Sequence, residues 1–119
     1  MIERQPSSFK RILNALGYSW LGFKRAYLGE AAFREEVYAA CILIPAACLL
    51  NVTNVERILM IGCVLLLLIV ELLNSAVETA IDRISTDHHK LSGQAKDMGS
   101  AAVLVAIIMV VITWGIILL

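Results

Sequence analysis

Glu71, Asn74, Glu78 and Asp82 stand directly behind a thirteen-residue apolar run, Ile58 to Val70. Steps of three, four and four residues place the four side chains on one stripe of a single helix. An ionisable group at membrane depth costs at least ~2.5–3.5 kcal/mol on insertion scales, so a stripe holding two glutamates there marks a candidate functional site. Two helical turns separate Glu71 from Glu78, roughly 10 Å along the axis, too far for both to hold one ion directly. They therefore have different tasks. Glu71, near the lipid boundary, suits a general base acting on a hydroxyl presented from the bilayer. Glu78, further towards the cytosol, is better placed to bind magnesium, a hard ion that takes carboxylate, water and phosphate oxygens. Magnesium needs a second donor from another element, and Glu30, at the mouth of the first span, is the candidate. Lys96 adds a positive point charge at the same level, and carboxylates, a lysine and an arginine at one interface are the minimal equipment for phosphoryl transfer. The chain has no G-x-x-x-x-G-K-[ST] string and no glycine-rich kinase loop, so any nucleotide site is unlike those of soluble kinases.

The elements that position these residues follow from composition. In 119 residues the chain is 60% hydrophobic with a mean hydropathy of +0.82. This is one small unit, too oily for a soluble domain, and is read as an all-α integral membrane protein. Net charge is zero, yet six of the ten basic residues precede residue 37, three lie between Arg83 and Lys96, and only Arg57 stands elsewhere. By the positive-inside rule, the N-terminal segment and the 82–97 loop are expected to face the cytoplasm, while Asn51 to Arg57 and the C-terminus face outward. Three spans satisfy this, and no nucleic-acid partner is expected. Met1 to Lys10 lacks the apolar core and cleavage site of a signal peptide, so the first span is expected to insert uncleaved. Cys41, Cys48 and Cys63 lie within apolar runs and read as small buried hydrophobes, with no disulfide and no metal.

Along residues 1–28, Phe9, Ile12, Leu13, Leu16, Trp20, Phe23 and Tyr27 recur every three or four positions, with basic residues mostly on the other side. That pattern predicts an amphipathic helix lying at the membrane surface, with Gly17 and Gly22 weakening a single straight helix. The first span is expected over 29–50, where Pro45 bends the helix or frees a carbonyl, and Asn51 to Asn54 make a tight outer turn. The second span covers 55–83 and projects into the cytosol. A polar cytosolic connector, 84–91, carries Asp87, His88 and His89, side chains free to meet a soluble ligand. The third span covers 92–119, with Ser92 or Asp97 as its cap and Gly99, Ser100, Ala101 and Ala102 permitting close helix contact.

Taken alone, the polar stripe admits other readings. Glu71, Asn74 and Glu78 could be glue between helices, paired with Lys96 or Arg34, or could form a proton relay or ion path through an oligomeric subunit. His88 and His89 could be solvated loop residues, since two adjacent histidines do not specify a metal site.

EAAFRE (30–35), ELLNSAVE (71–78) followed by Asp82-Arg83, LSGQAKDMGSAAV (91–103) and GYSW (17–20) together resemble the prokaryotic diacylglycerol kinase family, in order and over nearly the whole chain. The resemblance implies a homotrimeric helical bundle of three-span protomers, each with a surface helix, that transfers the ATP γ-phosphate to the primary hydroxyl of diacylglycerol with Mg2+. It implies that Glu71 is the catalytic base, that Asn74 supports it, and that Glu30 and Glu78 are the magnesium ligands. Arg11, Tyr18, Lys96 and Asp97 match nucleotide and phosphate contacts, while Asp87, His88 and His89 occupy the loop that meets the nucleoside. His88 departs from the family, whose members often carry an aromatic residue there. Lipid contacts are implied for Arg11, Ala15, Ser19 and Trp20 of the surface helix, for Ala32, Phe33, Arg34, Glu35 and Glu36, and for Glu71, Ser100 and Trp114. Relatives with the same carboxylates phosphorylate undecaprenol instead, but DMGSAAV after Lys96 looks more like the diacylglycerol branch.

Overall fold

The computed structural model describes residues 7–84 and 89–119. These form four helices, α1 (Ser8–Gly29), α2 (Ala31–Leu49), α3 (Asn54–Ile84) and α4 (Lys90–Leu118), and no strand occurs among the described residues. The long helix α3 is the centre of the arrangement, packing on α4 and α2, while α1 leans on α2.

Helix α1 runs unbroken through Gly17 and Gly22, both of which face open space. Ser7 caps its start, with Oγ accepting from the Lys10 N–H at 3.4 Å. Glu30 ends it in extended conformation, and Arg34 reaches back from α2 to the Tyr27 and Leu28 carbonyls at 2.8 and 3.1 Å. That guanidinium answers acceptors the helix end leaves open. Pro45 sits inside α2, which nevertheless continues to Leu49.

The turn between α2 and α3 is held by two devices. Thr53 and Glu56 form a capping box, the Glu56 N–H donating to Thr53 Oγ1 at 3.1 Å and the Thr53 N–H to Glu56 Oε1 at 3.0 Å. Arg57 donates to the carbonyls of Ala47, Leu50 and Val52 and to Asn54 Oδ1, closing the C-terminal end of α2. The one basic residue between the N-terminal and the 83–96 basic groups is thus a helix cap.

Two expectations need correction. Helix α4 begins at Lys90 rather than 92, and its cap is neither Ser92 nor Asp97 but His89, whose Nδ1 accepts from the Leu91 N–H at 3.1 Å. A neutral imidazole has one acceptor nitrogen and can do what an asparagine oxygen does there. Of the three cysteines, all free thiols, only Cys63 is buried, whereas Cys41 and Cys48 lie on the outward side of α2.

Ala40, Cys63 and Val64 form the core, surrounded by Leu43, Ile44, Leu68, Val110 and Trp114. The Trp114 indole N–H donates to the Met60 carbonyl at 3.1 Å, tying α4 to α3. Small side chains sit at the contacts, with Ala106 the one buried residue of α4. Ile58, Ile69, Leu104, Val111 and Ile112 instead point outward. So much uncovered aliphatic surface suits hydrocarbon rather than water. Helices α3 and α4 are each long and apolar enough to cross a membrane. The 19 residues of α2 carry Arg34, Glu35 and Glu36 near their start, which dilutes the apolar signal.

Candidate active site

Glu71 is only 5% exposed, although it follows an oily run whose neighbours point outward. Burial arises because α3 turns this stripe towards the helices packed on it. Glu36 of α2, Glu30 at the α1–α2 elbow and Glu78 two turns along α3 all lie within electrostatic reach of the Glu71 carboxylate. Four acids thus gather where α2 begins and α3 leaves its apolar stretch.

Two oxygens around them are acceptors left without a donor, and a third belongs to a hydroxyl that can also donate. Glu36 Oε2, Asn74 Oδ1 and Ser75 Oγ are buried without a hydrogen-bond partner. Leaving such atoms unanswered costs on the order of 1–3 kcal/mol each, so the site is built to meet a donor or a cation. Asn74 faces α4 at Gly99, where an added Cβ would run into the amide oxygen and lie 3.2 Å from Cγ. The small residue expected to permit close contact therefore makes room for the Asn74 amide.

The pairing required by the glue reading is not what the described residues make. Arg34 is engaged by backbone carbonyls, and Lys96 Nζ pairs with Asp82 Oδ1 at 3.0 Å, one turn beyond Glu78. Among the described residues no three acidic, histidine or cysteine side chains converge tightly enough to enclose a metal. This donor set still fits magnesium, which is commonly held by one or two carboxylates and completes its shell with water and phosphate oxygens.

A cleft of about 690 Å³ lies between α1 and the C-terminal half of α3. Phe23, Ala26 and Leu72 give it an apolar lining, while Ser19, Glu30 and Ser75 supply polar groups. That mixture, adjoining the acids through Glu30 and Ser75, suits an amphiphile.

Other expected site residues are spread more widely. Ala15, Tyr18, Ser19 and Trp20 are exposed on α1, and Arg11 Nη2 donates to Ser8 Oγ at 3.3 Å. Ala32 and Glu35 are exposed on α2, but Phe33 is 2% exposed and packed within the chain. Asp97 and Ser100 are exposed on α4, and His89 caps it; Trp114 is half-buried in the C-terminal half of that helix. Asp87 and His88 lie outside the described residues. Sequence reasoning missed Ser75, which its spacing of four from Glu71 could have flagged, and it gave Glu36 to lipid without placing it beside Glu71.

The sequence model of the family described as prokaryotic diacylglycerol kinase matches residues 17–118. The chain is 54% identical over 117 residues to a diacylglycerol kinase of Escherichia coli strain K12, covering 98% of this chain and 96% of that protein. It is 57% identical over 113 residues to one from Pseudomonas aeruginosa, covering 95% and 92%. A Helicobacter pylori diacylglycerol kinase matches at 42% over 114 residues, covering 96% and 89%. With the acid-lined site set at the end of an apolar helix, these matches establish that the chain belongs to the prokaryotic diacylglycerol kinase family.

Proposed function

We propose that this chain is an ATP-dependent diacylglycerol kinase that makes phosphatidic acid at the inner leaflet of a bacterial inner membrane. The observation that carries the reading is the burial of Glu71 among unanswered oxygens, where the apolar stretch of α3 ends. A greasy alcohol and a water-borne triphosphate can meet there without either leaving its own phase.

In the reaction, the lipid's primary hydroxyl oxygen bonds to the γ-phosphorus as the bond from that phosphorus to the bridging oxygen of ADP breaks. Glu71 accepts the hydroxyl proton. Asn74, held against Gly99, supports the acid beside it. Glu30 and Glu78 would hold magnesium, which supplies charge neutralisation on the phosphates when bound. Arg11, Tyr18, Lys96 and Asp97 contact ATP, with Asp87, His88 and His89 near the nucleoside. Lipid is met by Arg11, Ala15, Ser19 and Trp20, by Ala32 and Arg34 to Glu36, and by Ser100 and Trp114, whereas Phe33, expected to join them, is packed inside the chain and positions the start of α2 instead. Positioning and electrostatics carry most of such a transfer, which is why no glycine-rich loop is needed.

Helix α2 serves as a third span. Its 19 residues extend roughly 28 Å, close to the ~30 Å hydrocarbon thickness, with its charged residues at the inner end. Helix α1 lies at the cytoplasmic surface, and the positive-inside rule sets the N-terminus and site in the cytoplasm. The protomers form a homotrimer, for which the exposed Ala101 and Ala102 of α4 offer a close-packing surface.

Purified protein given γ-labelled ATP, magnesium and equal amounts of diacylglycerol and undecaprenol tests this. Label should appear in phosphatidic acid. Label in the polyprenol phosphate alone would make the chain an undecaprenol kinase, and ion flux without lipid phosphorylation would make it a conducting subunit.

A further inference from the structure

One non-helical residue joins α1 to α2. Glu30 is extended, with φ −122° and ψ 109°, between helices that continue on both sides of it. The direction of α1 is therefore set by rotation at that residue and by whatever ties the helices beside it. Arg11 lies 19 residues before Glu30, about 28 Å along the helix, so a swing of about 10° moves it by about 5 Å. A hydrogen bond does not survive such a displacement.

The described residues make two ties across the elbow. Arg34 donates from α2 to the Tyr27 and Leu28 carbonyls. The hydroxyls of Tyr27 on α1 and Tyr38 on α2 meet at 2.7 Å, with the rings edge to face at 6.2 Å between centroids and 85° between planes. Tyr38 is 54% exposed, so its ring adds little to the core. Its polar end is what spans the joint, and that hydrogen bond is the first cause that pushes the Tyr27 phenol above the usual tyrosine range.

We infer that Tyr38 is a positioning residue for the nucleotide: its hydroxyl, bonded to Tyr27, fixes the angle of α1 and with it the places of Arg11, Tyr18 and the elbow carboxylate of Glu30. This rests on the reading that those three residues meet magnesium-ATP. Tyr38 itself touches no reactant.

The test uses the full-length enzyme in bilayers with Tyr27→Phe, Tyr38→Phe and the double variant, each of which removes only oxygen. One neutral hydrogen bond corresponds to a factor of about two to ten in an equilibrium. Each single variant should raise the KM for ATP by about that factor at saturating lipid, the double by no more than either single, with kcat at saturating ATP little changed. A second readout is the distance distribution between spin labels on cysteines placed at Ser8 and Ile84, with the native cysteines replaced and labelled protein diluted so that only pairs within a chain count. Tyr38→Phe should broaden it. An unchanged width overturns the clamp, and a broadened width with unchanged KM overturns its link to nucleotide. If the parent enzyme phosphorylates no diacylglycerol, the kinase reading falls by itself, and the width still decides the clamp.

Discussion

Gly99→Ala adds one methyl group where α4 meets Asn74, and the expected outcome follows from two opposed effects. Alanine favours a helix over glycine by ~0.8–1.0 kcal/mol. Against this, the new Cβ runs into the Asn74 amide oxygen, with Cγ at 3.2 Å and Cβ at 3.9 Å. Forcing a methyl group into such a contact costs ~1–3 kcal/mol. The balance runs from near zero to a loss of about 2 kcal/mol, and relief by rotating Asn74 away removes the amide from beside Glu71. Gly93 provides the control, because it lies on the same helix with nothing near its Cβ position. Gly93→Ala should therefore hold or gain stability, by up to ~1 kcal/mol. Unfolding in mixed micelles with rising denaturing detergent compares the two variants, and steady-state phosphorylation of diacylglycerol compares their turnover. Gly99→Ala should be the less stable and the slower of the pair. If it matches Gly93→Ala in both stability and kcat, the part proposed for the contact between α4 and the Asn74 amide is wrong.

Glu78→Gln should raise both the magnesium concentration for half-maximal activity and the KM for ATP; an unchanged magnesium curve would remove Glu78 from the metal site. Trp114→Phe keeps an aromatic side chain but trades the indole for a smaller ring and loses the N–H bond to the Met60 carbonyl, and micelle unfolding should register a loss of at least about 0.5–1.5 kcal/mol, the share of the hydrogen bond alone. Asp82→Asn breaks an ion pair between exposed side chains, and the same unfolding measurement should move by less than about 1 kcal/mol. A larger shift would make that pair part of the fold.

The stripe from Glu71 to Asp82 was legible because polar side chains at helical spacing interrupt an apolar run, and nothing but a shared helix face explains the steps. Gly99 was legible for a related reason, as a small residue at the start of a span leaves room for a neighbour. What the stripe faces was not. Glu35 and Glu36 are adjacent acids in α2, and only the rotation of that helix against α3 leaves Glu35 exposed and sets Glu36 beside Glu71. The bond from Trp114 to Met60 joins residues 54 apart in the chain, and no local periodicity encodes it. His89 as a cap escaped because histidine is outside the usual capping set, although its free nitrogen accepts as well as an amide oxygen. Burial of Cys41 and Cys48 was expected from their apolar neighbours, a rule that fails where the solvent is lipid and the outside of a helix is also oily.

Turnover and nucleotide binding measured side by side on Glu71→Gln test the central claim most directly. The substitution preserves shape but cannot take a proton, and a positioned general base contributes on the order of 10²–10⁴ in rate. Transfer of phosphate to diacylglycerol should fall by that factor while magnesium-ATP still binds. Undiminished transfer, or loss of nucleotide binding together with transfer, would contradict Glu71 as the group that takes the lipid hydroxyl's proton.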